Sequence, residues 1–276
     1  MQTNKLRWLY PVIGMVGVLF SQTPLALEVQ GLYEVELVVK SQNADDRLFG
    51  LKQAFYSVLN RVVVSDNIAR LPVIQEMLKN PTAYIKQFQY ADLSKQGDET
   101  VDRLDGPRRM QVEFDEEQIL KTLQASQLAL WDENRPATLL WIVVNDQGER
   151  QFYNPELMSN IEAELSLASR VKGLPFIYPL LDLDEQQRVS VDTINKLDQK
   201  TIVELSQRYE AISTAVVNFT HHDNCWQTSW TLYFDGRKSE WSGMCQPMRL
   251  SLLSDVERLY QVLSSFYAVK PSSASH

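Results

Sequence analysis

The stretch Thr138–Val144 (TLLWIVV) constrains this chain most. From Leu139 onward every residue is apolar, on odd and even positions alike. Successive side chains of a strand point to opposite faces, so a strand that is apolar on both must be covered on both. Arg135-Pro136 breaks the chain before it and Asn145-Asp146-Gln147-Gly148 supplies turn-forming groups after it. The segment is therefore expected to be the central strand of a sheet with helices on each side. In open α/β sheets the carboxyl ends of such strands often carry functional groups, which makes Asn145 and Asp146 candidates. No glycine-rich phosphate pattern surrounds them and no nucleophile or metal ligand is paired with them in the sequence, so they read as a turn before a capped helix.

The same reasoning orders the rest of the chain. In Leu32–Val39, Tyr33, Val35, Leu37 and Val39 share one strand face. Leu48, Leu51, Phe55, Val58, Leu59 and Val62 recur at helical spacing, with Ser41 or Asn43 as the cap. A second helix is expected near Pro72–Leu78 and a third from Asn80-Pro81. Ser94–Pro107 reads as a polar loop, Met110, Val112 and Phe114 as a strand, and Asp115 as the cap of a helix carrying Ile119, Leu120 and Leu123. Beyond a boundary at Asn134-Arg135-Pro136 comes a helix capped at Asn154-Pro155, with Leu157, Ile161, Leu165 and Ala168 inward and Gly173 at its end. LPFIYPLL is strand-like, and Thr193–Tyr209 holds another helix. Ile212–Phe219 pairs with Trp226–Phe234, and Ser254 caps a last helix with Leu259, Leu263 and Phe266 buried. The expected class is α/β: an α+β unit over 27–133, then a three-layer α/β unit over 134–269 with a mixed sheet and a C-terminal β-hairpin. Residues 270–276 form a frayed tail.

Lys5 and Arg7 precede the apolar stretch Trp8–Phe20, and a small residue stands at Ala26. This is the layout of a secretory signal peptide over residues 1–26. Pro11, Gly14 and Gly17 weaken the alternative of an uncleaved inner-membrane anchor. Export to the periplasm makes the two cysteines legible, because an even pair in an oxidising compartment suggests a Cys225–Cys245 disulfide. They flank a hairpin whose register is open. A three-residue loop sets the cysteines opposite each other, whereas a two-residue Asp235-Gly236 turn sets Trp230 opposite Trp241 and shifts the cysteines by one. A bulge would reconcile the two.

LKQAFYSVLNRVVVSDN, AYIKQFQY, RRMQVEFDEEQILKTLQASQLALWDENRP, the ATLLWIVV strand, KGLPFIYPLLDLDE and CWQTSWTLYFDG occur in an order that resembles the proteobacterial domain-of-unknown-function 2066 family. The resemblance spans roughly residues 30–245 and implies an exported Gram-negative protein with no established activity. The sequence departs from that pattern at Ser65-Asp66-Asn67 and at Arg170–Gly173, both loop positions. The second half is also similar in layout to small periplasmic α/β domains that work by contacting partners, such as the lipoprotein activators of penicillin-binding proteins.

Chemistry is sparse. The formal charge of −8 disfavours nucleic acid, and no phosphate loop, nucleophile elbow, zinc helix or Cys-x-x-Cys pair occurs. No cofactor or metal is expected. His221 and His222 sit beside Asp223 in a loop and would face opposite ways on a strand. Asp182 and Asp184 in PLLDLDE, with Glu185 beside them, are the best catalytic candidates, since they would share a face if the strand continues. Trp226, Trp230 and Trp241 are a candidate binding platform, against the alternative of cross-strand packing. The leading expectation is a non-catalytic envelope protein that binds a protein or cell-wall partner. A hydrolase or metal-dependent enzyme using Asp182 and Asp184, and a membrane-anchored accessory protein, are the alternatives.

Overall fold

The computed structural model describes residues 27–28, 31–91 and 106–269; the expected signal segment and the 270–276 tail lie outside them. The elements are β1 (Leu27–Glu28), β2 (Glu34–Val39), α1 (Ala44–Val62), α2 (Pro72–Met77), β3 (Ile85–Ala91), β4 (Arg108–Phe114), α3 (Glu116–Ala125) and β5 (Asn134–Arg135). Then come β6 (Thr138–Asp146), β7 (Glu149–Phe152), α4 (Ser159–Lys172), β8 (Phe176–Ile177), α5 (Leu183–Arg188) and α6 (Gln199–Ser206). β9 (Ser213–His222), β10 (Cys225–Phe234), β11 (Arg237–Ser242) and α7 (Met248–Tyr267) complete the chain. The class is α+β, with an antiparallel sheet and a mixed sheet.

The first sheet, in the order β2-β4-β3, is antiparallel. Its apolar face (Val39, Met110, Val112) packs on Ala54, Phe55, Val58 and Val62 of α1. The approach is close: a Cβ on Gly50 would stand 2.5 Å from Val39 Cγ1 and 2.8 Å from Met110 Cε. The Asn43 side chain accepts from the Asp46 backbone N–H and starts α1, and Asp115 does the same for α3 through Gln118.

The second sheet runs β11-β10-β9-β6-β7, with β8 also on β6. β6 is parallel to β8 and β9, and the remaining pairs are antiparallel. Thr138–Val144 is buried throughout. Leu140, Ile142 and Val144 meet α4 and α7, while Leu139, Trp141 and Val143 meet α6 and Val189 at the end of α5. The central strand covered on both faces is therefore what the structure shows, and the reason is the two-sided apolar pattern.

Several local expectations change. Asn80-Pro81 starts one 3-10 turn (Pro81–Tyr84) instead of a helix, and Ile85–Ala91 is an edge strand. Its polar residues Lys86, Gln87 and Gln89 are tolerated because one strand edge and most of one face meet solvent. Gln147 and Gly148 take positive φ (52° and 88°) and fold the segment after β6 back into β7, a strand the turn reading omitted. LPFIYPLL yields only Phe176–Ile177, because Pro175 and Pro179 bracket it. α7 starts at Met248 behind Pro247, not at Ser254, once Trp226 and Gln246 have bridged the chain across the sheet end. Leu48, Leu157 and Phe266, expected inward, are exposed.

Arg135, read as part of a chain break, joins the helix that packs on the first sheet to one that packs on the second. It is fully buried. Its guanidinium donates to the Asp132, Lys172, Gly173, Arg61 and Trp131 carbonyls, four of them at 2.6–3.2 Å, and lies 4.8 Å from the Trp131 ring centroid. Arg61 and Lys172 are in the last turns of α1 and α4. One cation thus satisfies orphan carbonyls at the C-termini of both α1 and α4, where the helix dipole favours positive charge. Burial lowers its pKa to about 10, which leaves it charged at neutral pH. The Tyr260 hydroxyl of α7 also donates to the Arg61 carbonyl at 3.0 Å. Lys172 pairs with Glu257 at 2.6 Å and Asn60 at 3.2 Å.

Candidate functional site

The sequence-derived site residues separate into three places. Asp182 caps α5, accepting from the Glu185 backbone N–H at 3.0 Å, and pairs with Arg208 at 2.8 Å. The backbone bond first and Arg208 second hold its carboxyl below the usual carboxylate range. Glu185, almost fully buried, accepts from the Leu181 N–H at 2.7 Å and from the Tyr209 hydroxyl. Asp184 stands apart, exposed, 4.0 Å from Arg188. The expected shared strand face does not form, because the strand ends at Ile177 and Asp182 opens a helix.

The hairpin takes the two-residue-turn register and not the one that sets Cys225 opposite Cys245. Asp235 and Gly236 (φ 50° and 68°) form the two-residue turn, and Trp230 stands opposite Trp241. Trp226 then bridges Gln246, one residue out of that register, so a bulge lies between. That shift leads away from a directly opposed cysteine pair, and Cys225 and Cys245 are joined across the strands in a disulfide with a Cα separation of 5.3 Å. Trp230 is buried and stacks on Trp241 at 5.6 Å, so these two rings pack under α7 and do not form an open platform. Beneath them Asp255 of α7 is buried and accepts from the Thr228 hydroxyl at 2.6 Å. The Trp230 and Trp241 indoles lean toward the same carboxylate without reaching hydrogen-bond geometry. Burial pushes the Asp255 carboxyl up.

Trp226 goes elsewhere. It stacks on His221 at 4.4 Å, and His221 Nδ1 is 2.7 Å from Asp146 Oδ1. Asp146 was read from the sequence as an unpartnered turn residue; the parallel register of β6 and β9 sets Asn145 beside Thr220 and so brings Asp146 to His221. An Asp–His pair at the carboxyl ends of parallel strands can orient an imidazole for proton transfer. Both nearby cysteines, however, are joined to each other and cannot serve as a nucleophile. Among the described residues no three His, Cys, Asp or Glu side chains converge on a metal position, and no helix is long and apolar enough to cross a membrane.

A groove of about 1260 Å³ lies between the first sheet with α1 and the end of α4. One wall is the polar face of the first sheet. Glu36, Gln111 and Gln89 form one row across β2, β4 and β3, and Glu34, Glu113 and Gln87 the next. Their side chains are laddered: Gln89 donates to Gln111 at 2.7 Å, Gln111 to Glu36 at 2.9 Å, and Gln87 to Glu113 at 2.6 Å. Lys86 beside Glu113, followed by Gln87, holds the Glu113 carboxyl low. The other walls are Gln53, Ser57 and Arg61 of α1 and Leu167, Ser169, Arg170 and Val171 of α4 with Gly173, Leu174 and Pro175 after it. Sequence reading missed this groove. Its only signal was the alternation of Glu and Gln with apolar residues in the YEVEL and QVEF segments, which becomes a surface only once the three strands are in register.

Comparison with known proteins adds little beyond this. The family model that matches, over residues 26–132, is described as "Domain of unknown function (DUF8605)". The match is thus to an uncharacterised domain, as expected, but not to the 2066 family. No curated protein matches the chain. Among solved structures it is similar to the LpoB C-terminal domain from Salmonella enterica (12% identity, 41% of this chain and 82% of that one, TM-score 0.26). It is also similar to a competence-damaged protein (CinA) superfamily protein from Escherichia coli (12%, 53% and 87%, TM-score 0.27) and to protein VC0702 from Vibrio cholerae (14%, 46% and 74%, TM-score 0.22). Scores this low carry nothing about fold or function to this chain.

Proposed function

We propose that the chain is an exported cell-envelope protein that works by holding a partner, a protein or cell-wall component, in the groove between its two units. The observation that carries this reading is the groove itself. It is large, lined about equally by polar and apolar groups and walled by both units, and the Arg135 joint fixes those walls before any partner arrives. Pre-formed apolar walls with a few orientationally fixed polar groups suit recognition, because little ordering entropy opposes binding. The basic-apolar-small layout of residues 5–26 and the Cys225–Cys245 disulfide support export to an oxidising compartment. Asp182 and Asp184, occupied in helix capping and surface pairing, lend the hydrolase alternative no support.

The test uses the mature, oxidised chain as bait for envelope extracts, next to a variant with the groove filled by Ser57→Trp and Gln89→Trp. A partner retained by the wild type and lost by the folded, filled variant is the expected result. Equal retention by both would place the contact elsewhere and defeat the reading.

A further inference from the structure

Arg61 carries a charge that the fold leaves unmet. It stands in the last turn of α1, is 8% exposed and lines the groove. Its Nη1 donates to the Leu32 and Glu34 carbonyls at 3.0 and 2.8 Å. Among the described residues Nη2 has no hydrogen-bond partner and, unlike the enclosed Nε, stays accessible. Burial first, and then the field of Arg170, lower the pKa to about 10, and no carboxylate offsets either. The group is therefore charged at neutral pH. A buried cation held only by neutral carbonyls gains when an anion reaches its open side.

Arg170 is a second cation on the same groove. Its Nη1 donates to the Ser166 hydroxyl at 2.7 Å, and among the described residues it meets no carboxylate. The acids of the sheet wall have their own counter-charges: Glu36 meets Arg109 at 3.3 Å, and Glu113 meets Lys86. Nearby hydroxyl protons are spent, since Ser57 donates to the Gln53 carbonyl and Ser169 to the Leu174 carbonyl. The donors left at this end are guanidinium N–H groups, whose planar geometry matches a carboxylate. A phosphate dianion is better served by the backbone N–H groups of a helix N-terminus, whereas α1 and α4 bring their C-termini here.

Apolar surface adjoins the cations. Leu167, Arg170 and Val171 are spaced i, i+3 and i+4 on α4 and so share a face, and Leu174 and Pro175 continue the wall. A group that joins a carboxylate to an apolar side chain matches both features. The last residue of a polypeptide is such a group, and terminal carboxylates are a recurrent recognition element.

We infer that the groove holds the carboxyl-terminal residue of a polypeptide, its α-carboxylate on Arg61 Nη2 and the Arg170 guanidinium and its apolar side chain against Leu167 and Val171. This rests on the partner-binding reading above and names the group recognised. The test is fluorescence anisotropy of an amino-terminally labelled glycine-serine hexapeptide ending in leucine, with the oxidised chain at physiological salt. Amidating its carboxyl terminus is expected to weaken binding about tenfold, and ending it in serine about fivefold. Arg170→Gln is expected to cost about fivefold. Arg61→Lys keeps the charge but not the planar pair of donors, and should cost about tenfold. Lys200→Gln, an equal charge change away from the groove, should stay within about twofold. Urea midpoints check the fold of each variant; the acid and amide peptides test the unaltered chain.

No binding of the leucine acid overturns the proposal, as does equal binding of its amide. An equal loss in Lys200→Gln would mark general charge attraction and overturn it too. Tighter binding of an amidated phosphoserine peptide would assign the arginines to phosphate. Tighter binding of a peptide ending in D-alanine would assign them to a cell-wall peptide, and either result refutes a polypeptide terminus. Because the probes are synthetic, these failures leave the groove-filling test of the proposed function standing.

Discussion

Replacing Arg135 by alanine tests the joint. In the native protein the guanidinium serves five carbonyls. After truncation the Arg61 carbonyl keeps its bond from Tyr260, and the Lys172 and Trp131 carbonyls are left buried beside an empty site. Each unsatisfied buried acceptor costs about 1–3 kcal/mol, so the expected loss is about 4 kcal/mol. Arg135→Lys supplies three donors from one point in place of a planar fork. It should recover about half of that. The assay is urea unfolding followed by far-UV circular dichroism and by tryptophan fluorescence, since Trp131 lies against the guanidinium. The alanine variant is further expected to split one transition into two, because the two units lose their shared cap. A loss below about 1 kcal/mol, or lysine no better than alanine, would refute the reasoning that Arg135 acts by satisfying helix ends.

Three further outcomes follow from the same structure. Cys225→Ser with Cys245→Ser opens a link across a sequence separation of 20 and should cost about 3 kcal/mol in urea unfolding by loop entropy; no change on reduction of the wild type would contradict this. Gly173 sits at φ 62°, where a Cβ would lie 2.8 Å from Leu32 Cδ1 and 3.1 Å from the Arg135 guanidinium. Gly173→Ala should therefore lose about 2 kcal/mol or more, and a neutral result would show that the joint is soft. The folded state raises the Asp255 carboxyl, so it binds that proton more tightly than the unfolded chain does. Stability from this group is full below the unfolded value near about 3.9 and falls as pH rises through the raised folded value. Asp255→Asn should remove that fall, gaining on the wild type between pH 4 and pH 7 in thermal melts, and parallel profiles would contradict the assignment.

What could be read from the sequence was what local pattern controls. The two-sided apolar run of β6, the caps Asn43 and Asp115, and the left-handed Gly173 all act through neighbours within a few residues. The hairpin was legible in part: the turn fixed Trp230 opposite Trp241 and the cysteines are bonded, but the bulge shifts the strands away from the register in which the cysteines would oppose each other. Arg135 was opaque because its partners, Arg61 and Lys172, lie 74 and 37 residues away. A buried cation serving only carbonyls leaves no acidic counterpart in the sequence to search for. Asp146 and His221 were hidden for the same reason, since only the parallel register of β6 and β9 joins them. The β3 edge strand was lost to a cap-proline signal that here governs a single turn. The groove depends on register and on the joint together, and neither has a local signature.

The most direct test of the account is photo-crosslinking in living cells. A photoactivatable residue is placed in turn at Gln89 and Arg170 in the groove and at Glu76 and Asp184 outside it. The account predicts one discrete adduct, the same from both groove positions, on a chain whose mature amino terminus lies near Leu27 and whose cysteines resist thiol labelling. Adducts of equal yield from all four positions, or none from the groove, would contradict it.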